Sequence, residues 1–119
     1  MREDRTRQVN RRASRRLPLR RSSKVECRRG SLGLGRSLTV YPLDLSETGV
    51  RLVVREALAP GEETEVLIHG GGSAGTVKRL ARVVWCLPTP GGHATGLHFD
   101  KPIPYADLQA LSAPPRVLR

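Results

Sequence analysis

Short turn-forming segments recur roughly every ten residues between residues 46 and 92, and this spacing limits what the chain can fold into. The segments are SETG at 46–49, APG at 59–61, GGGSAG at 70–75 and PTPGG at 88–92. Glycine, proline and serine favour such turns because they accept or preset the backbone angles that turns need. The regular spacing favours an antiparallel sandwich or a small barrel.

The residues between these turns have the alternation of β-strands. Val50, Leu52 and Val54 alternate with Arg51 and Arg55, which predicts a strand with one buried and one wet face. Strands are also expected over residues 24–28, where charged residues alternate with apolar ones, over the β-branched run at 76–86, and over the short runs 65–68 and 96–99.

A single helix is predicted near the end of the chain, over residues 104–111. Pro104 suits the first helical turn, and Leu108 and Leu111 fall on one face. The prolines at 114 and 115 would end the helix. At 119 residues the chain is expected to form one domain.

Positive charge is concentrated in the first third of the chain. Residues 1–37 carry a formal charge of +10, so residues 38–119 are formally neutral, and 12 of the 13 basic residues in the first segment are arginines. A basic arm can bind nucleic acid without sequence preference. However, a guanidinium also forks onto phosphate oxygens or onto the O6/N7 edge of guanine. The bias towards arginine therefore favours planar, bidentate recognition over positive charge alone.

Several classes of protein are not indicated by the sequence. No apolar run approaches the roughly 20 residues of a membrane span, and no secretory signal is present, so a cytoplasmic location is expected. Cys27 and Cys86 do not form a zinc pattern and are predicted to be half-buried strand residues. His93 and His98 fall on opposite faces of a strand, which argues against a shared metal. No nucleophile is paired with a base, so we expect neither an enzyme nor a metal site.

The segment DLSETG, residues 44–49, has two interpretations. Asp, Ser and Gly form turns, and Gly49 suits a positive φ or a close backbone approach. Alternatively, a carboxylate and a hydroxyl are held at a sheet edge beside a ligand. Asp44 would then accept hydrogen bonds from a base edge, and Ser46 would donate to a phosphate.

Two motifs in this order resemble the paired signature of PilZ domains, bacterial receptors for cyclic di-GMP. The motifs are Arg12-x-x-x-Arg16 followed by Leu17-Pro18-Leu19, and Asp44-x-Ser46-x-x-Gly49. The runs Arg82-Val83-Val84-Trp85 and Gly96-Leu97-His98-Phe99 are similar to the family's last two strands. The resemblance covers about residues 11–111. Arg11-x-x-x-Arg15 also fits the arginine spacing, but the apolar residue and proline after Arg16 favour the first register.

The resemblance implies an all-β fold, a six-stranded antiparallel Greek-key barrel with a short C-terminal helix. The expected organisation is a flexible tail at 1–10, a PilZ-like domain at 11–112 whose arginine-rich arm spans 11–21, and a tail at 113–119. It also implies a ligand site made of arm arginines and of residues on the barrel surface: Arg11, Arg12, Arg16, Asp44, Ser46, Gly49 and Trp85.

The function implied is a non-enzymatic cyclic di-GMP receptor and adaptor without a cofactor. Its arm would fold over the ligand and change the surface on which a partner protein docks. Two alternatives stay open at this point. One is a PilZ-like adaptor that works through protein contacts without a nucleotide. The other is a basic barrel that binds RNA or DNA, for which the chain offers few aromatic stacking platforms.

Overall fold

A computed structural model describes residues 16–70 and 75–113 of the chain. The elements follow one another as β1 (Lys24–Arg29), β2 (Thr39–Leu45), β3 (Gly49–Val54), β4 (Glu63–His69), β5 (Thr76–Thr89), β6 (Gly92–Phe99) and α1 (Tyr105–Leu111). The predicted fold class, all-β with a short C-terminal helix, is confirmed. The expected tail at 1–10 and most of the expected tail at 113–119 lie outside the described residues.

All six strands belong to one antiparallel sheet, in the order β1-β4-β5-β6-β3-β2. Strands β4, β5 and β6 form a meander, and β6 returns to lie beside β3, which is a Greek-key arrangement. The sheet curls into a half-barrel whose two edges approach each other. The Leu38 N–H donates to the Cys27 carbonyl at 2.7 Å, and the Cys27 N–H donates to Ser37 Oγ at 3.3 Å.

The concave face of the sheet holds the hydrophobic core. Val50, Leu52 and Val54 of β3 are fully buried, as their alternation predicts. Helix α1 covers the core with Leu108 and Leu111, the two leucines expected on one face. Burial of one such side chain stabilises the fold by about 1.5–3 kcal/mol, so the helix is held mainly by its apolar face.

The two cysteines differ in their environments. Cys86 is half-buried, as expected, but Cys27 is fully buried because it points into the core beside Val25 on β1. Burial raises the pKa of the Cys27 thiol to about 11. The Cys27 thiol is therefore protonated and unreactive at neutral pH.

The hairpin between β5 and β6 is tighter than the predicted turn at 88–92. Strand β5 continues to Thr89, which pairs with Gly92, so only Pro90 and Gly91 remain in the loop. Gly91 has a φ of 88°, a conformation that glycine adopts without steric cost. Strand β6 accordingly begins at Gly92 rather than at Gly96.

Candidate functional site

The turn between β2 and β3 is fixed by the Ser46 hydroxyl. Ser46 is fully buried, and its Oγ accepts the N–H groups of Thr48 at 3.3 Å and Gly49 at 3.2 Å. The hydroxyl also lies 3.3 Å from the Gly49 carbonyl, to which it donates. The backbone closes the same turn, since the Ser46 N–H donates to Gly49 O at 2.9 Å. Ser46 thus sets the direction in which β2 and β3 leave the turn.

Gly49 allows β3 to lie against β6 at this point. It pairs with His98, and a Cβ built on Gly49 would lie only 2.2 Å from the Leu97 carbonyl oxygen. That oxygen belongs to the backbone of a central strand and cannot move away cheaply. The close approach requires glycine here, as the turn interpretation of residues 44–49 anticipated.

Asp44 stands on the outer face of β2, between two arginines. Arg51 lies opposite Asp44 across the hairpin and donates through Nε to Oδ1 at 2.9 Å and to Oδ2 at 3.0 Å. The Nη2 of Arg51 also donates to Oδ2. Arg16 Nη1 also donates to Oδ1, at 3.0 Å. Both carboxylate oxygens are therefore engaged by guanidinium groups.

The charge on Asp44 is stabilised by these neighbours. Burial alone would raise the pKa of its carboxyl group, but the hydrogen bonds from Arg51 and the charges of Arg16 and Arg51 outweigh it. The pKa of Asp44 is consequently held below its ordinary value. At neutral pH the site presents a carboxylate, an acceptor of N–H donors and never a donor itself.

A short backbone bridge places Arg16 beside Asp44. The Leu17 N–H donates to Leu45 O at 2.7 Å, and the Leu45 N–H returns a bond to Leu17 O at 2.8 Å. The bridge is antiparallel, so Arg16 and Asp44, each of which precedes one of its two residues, lie diagonally across it on the same face and within reach of each other.

The next residues of the arm lie against the C-terminal end of α1. The Arg20 N–H donates to Leu111 O at 3.0 Å, and Arg20 Nε donates to Ala110 O at 2.7 Å. The buried Ser23 hydroxyl also donates to Leu111 O, at 3.1 Å, and the Ala113 N–H donates to Pro18 O at 2.7 Å. The base of the arm is thereby bonded to both the barrel and the helix.

Trp85 belongs to the same row of the sheet as Asp44. Arg51 pairs with Gly96 on β6, and Gly96 pairs with Trp85 on β5, directly after an irregularity in the strand. The indole lies over Gly96, since a Cβ built there would fall 2.4 Å from Trp85 Nε1. Asp44, Arg51, Gly96 and Trp85 thus form a single row across β2, β3, β6 and β5.

The described residues therefore unite part of the predicted site. Arg16 contacts Asp44, Trp85 lies three strands away in the same row, and Ser46 and Gly49 form the turn beside Asp44. The predicted arginines Arg11 and Arg12, and Arg15 of the alternative register, lie outside the described residues. Whether any of these residues binds a ligand stays a prediction.

Arg51 was not among the predicted site residues. The sequence could have pointed to Arg51 through its outward position between Val50 and Leu52 and its place across a short turn from Asp44. The alternation of β3 showed that Arg51 faces solvent, but only the register of the hairpin places it on the carboxylate. Within the described ranges no cluster of His, Cys, Asp or Glu could hold a metal ion.

These features define a small β-domain with a charged row on its outer face and an arm anchored beside it. A family model of the PilZ domain matches residues 10–113, and the chain therefore belongs to the PilZ domain family. PilZ domains are cyclic di-GMP-binding adaptor domains and are generally non-catalytic. Comparison with curated proteins found no match, and comparison with solved structures found none. Among the residues that the structure describes, no helix is long and apolar enough to cross a membrane.

Proposed function

We propose that this chain is a non-enzymatic receptor for cyclic di-GMP that passes the signal to a partner protein in the cytoplasm. The observation that best supports it is the contact between Arg16 and Asp44. Arg16 closes the first motif of the family signature and Asp44 opens the second, although 28 residues separate them. Their contact joins the last residue of one motif to the first residue of the other on the outer face of the sheet.

The chemistry of the ligand suits the groups around this contact. Cyclic di-GMP has two phosphates and two guanines, and arginine pairs with either in a forked geometry. We assign Arg12 and Arg16 to the phosphates and a guanine, with Arg11 as a neighbouring contact. Asp44 would accept N–H donors of a guanine edge, and Trp85 would offer a stacking surface. A bidentate base contact contributes about 1–3 kcal/mol to discrimination.

Ser46 and Gly49 would line the site beside Asp44. The Ser46 hydroxyl is engaged within its own turn, and Gly49 lies against β6 without a side chain. In this arrangement their contribution is to hold the turn that presents Asp44. A phosphate could recruit the Ser46 hydroxyl only if the hydroxyl left the Gly49 carbonyl.

The output would be the surface formed by the arm and α1. Residues 18–23 are hydrogen-bonded to Leu111, Ala110 and Ala113, so the position of the arm and the end of α1 are linked. Ligand binding by the preceding arginines would therefore act on this junction. A partner that docks there would distinguish the bound from the free protein.

The decisive experiment is isothermal titration calorimetry of cyclic di-GMP into the protein at physiological salt, with GTP and a short RNA as comparison ligands. Saturable binding of cyclic di-GMP alone is expected. Arg16→Ala should lose most of this binding while keeping the circular dichroism spectrum, because exposed ion pairs contribute only about 0–1 kcal/mol to stability. Arg36→Ala, which removes an exposed arginine in the β1–β2 loop, should bind as the wild type does.

The other outcomes separate the alternatives. If the protein binds RNA with an affinity that falls steeply as salt is added, and gives no heat of binding with cyclic di-GMP, the arm is a polyanion-binding segment. No heat with any of the three ligands would favour an adaptor that works without a nucleotide. Unchanged cyclic di-GMP affinity in Arg16→Ala would contradict the assigned site.

A further inference from the structure

Asp44 is held by two arginines that differ in their anchoring. Arg51 belongs to β3, a strand inside the sheet, and makes three hydrogen bonds to the carboxylate. Arg16 belongs to the arm and makes a single hydrogen bond, to Oδ1. The Asp44 side chain is 15% exposed, that of Arg51 is 41% exposed and that of Arg16 is 35% exposed, so the two arginines differ in their anchoring and hydrogen bonds and not in their exposure. Arg51 is therefore the fixed partner of Asp44, and Arg16 is the partner that a ligand can draw away.

The geometry of the carboxylate leaves room for a ligand once Arg16 has moved. An ionised carboxylate offers about four lone-pair sites, and the side-on fork of Arg51 uses one side of both oxygens. Departure of Arg16 would leave acceptor capacity on Oδ1. With Arg51 still in place, the carboxylate would keep its charge and its orientation.

A fixed, ionised carboxylate distinguishes the two purines. The Watson–Crick edge of guanine carries two adjacent donors, N1–H and the 2-amino group, and both can converge on Oδ1, the oxygen that Arg16 leaves. Adenine presents one donor beside the N1 lone pair, which a carboxylate repels. The discrimination depends on the carboxylate being held, because a freely rotating group can turn to accept a single donor from either base.

We propose that Arg51 is a positioning residue that sets the selectivity of this site for guanine over adenine. It acts through Asp44 and not by contact with the ligand. The inference rests on the proposed cyclic di-GMP function and adds a residue to it. Gly96, the neighbour of Arg51 on β6, has no side chain, and the indole of Trp85 lies over it, so the indole is the next side chain after Arg51 in the row.

The test is a pair of titrations, with cyclic di-GMP and with cyclic di-AMP, on the full chain. Arg51→Gln is expected to weaken cyclic di-GMP binding roughly tenfold and to reduce the ratio between the two affinities. Arg51→Lys retains the charge without the fork and should reduce the ratio to a smaller extent. Arg55→Gln is the matched control. It removes the same charge four residues further on, where Arg55 donates to the Ser37 carbonyl, and it should leave both affinities unchanged.

The results that would contradict the role of Arg51 can be told apart from one another. Unchanged or tighter cyclic di-GMP binding in both Arg51 variants would overturn the inference, since Arg51 would then be dispensable or a competitor for Asp44. Equal loss for both nucleotides, with a salt slope lower by about one, would mean a direct phosphate contact and would also overturn it. In both cases the wild-type affinity for cyclic di-GMP leaves the proposed function standing. If the wild type binds no cyclic di-GMP, the proposed function fails and this inference fails with it.

Discussion

The indole of Trp85 lies against the backbone of Gly96, so closely that an added Cβ at residue 96 would fall 2.4 Å from Nε1 and 2.6 Å from Cε2. Gly96 stands between Trp85 and Arg51 in the register of the sheet. The absent side chain therefore lets the indole extend from β5 across β6. This places an aromatic surface in the same row as Asp44.

Gly96→Ala should displace this indole. Because real Cβ atoms do not approach other atoms so closely, the ring must rotate away from β6 and become more exposed. Trp85 is the single tryptophan of the chain, so its fluorescence emission should shift to the red. If guanine stacks on the ring, cyclic di-GMP affinity should also fall, by up to the 1–3 kcal/mol that a stacked base contributes.

Gly75→Ala is the control for this change. A Cβ at Gly75 would meet nothing within 4 Å, so emission and affinity should both stay as in the wild type. An unshifted emission spectrum in Gly96→Ala would contradict the position assigned to the indole. A shifted spectrum with unchanged affinity would show that the indole has no part in binding.

Gly49→Ala should destabilise the barrel itself. The added methyl group would lie 2.2 Å from the Leu97 carbonyl oxygen, so β3 and β6 would have to separate at the turn that carries Asp44. Such overpacking costs about 1–3 kcal/mol of unfolding free energy. Urea denaturation checks this prediction. The free energy of unfolding of the control variant Gly75→Ala is expected to lie within about 0.5 kcal/mol of the wild-type value. Equal midpoints for Gly49→Ala and the wild type would be inconsistent with this packing.

Much of this architecture could be predicted from the sequence because it depends on local pattern. The alternation around Val50 and Leu52 gave β3, and the spacing of Leu108 and Leu111 gave the buried face of α1. The family signature indicated Arg16 and Asp44 before any geometry. Each of these signals lies within a few residues of the chain.

The remaining features depend on register, which local pattern does not specify. Arg51 contacts Asp44 because the β2–β3 hairpin pairs them, and Gly96 supports Trp85 because β5 is irregular between Val83 and Trp85. One extra residue in either strand would move these side chains to the opposite face. The tight loop at Gly91 was missed for a similar reason, since turn residues mark a region and not the last paired residue.

Ser23→Ala should loosen the junction between the arm and α1. The buried Ser23 hydroxyl donates to Leu111 O, which also accepts the Arg20 N–H. Loss of this hydrogen bond is expected to reduce the unfolding free energy by about 1 kcal/mol. Hydrogen exchange should quicken at the amide of Ala113, which bonds to Pro18.

The neighbouring residue supplies the control for this junction. Ser22 is exposed, so Ser22→Ala should change neither the unfolding free energy nor the exchange of the Ala113 amide. The junction would be unimportant if Ser23→Ala and Ser22→Ala gave the same exchange pattern. In that case a signal from the arm would have to reach a partner without passing through α1.

The pairing of Asp44 with its two arginines should appear as a pH-dependent part of the stability. Its pKa is lowered in the folded protein, so the stabilisation is fully present above the unfolded value of about 4 and is lost as pH falls through the lower folded pKa. Asp44→Asn cannot titrate. At neutral pH we expect the free energy of unfolding of the wild type to exceed that of Asp44→Asn by roughly 1 kcal/mol. The difference is modest because Arg16 and Arg51 are partly exposed.

Thermal unfolding of both proteins from about pH 7 down to about pH 3 checks this expectation. The pKa values of Glu26 and Glu62 are also lowered, so the wild type alone would show a mixture of titrations. Those groups titrate in Asp44→Asn as well, and their effects cancel in the difference between the two proteins. The difference in stability between the wild type and Asp44→Asn should become smaller below about pH 4. A gap that stays constant to the lowest pH would mean that the arginines do not stabilise the Asp44 carboxylate, and Asp44 would then be free to meet a ligand without first releasing Arg16.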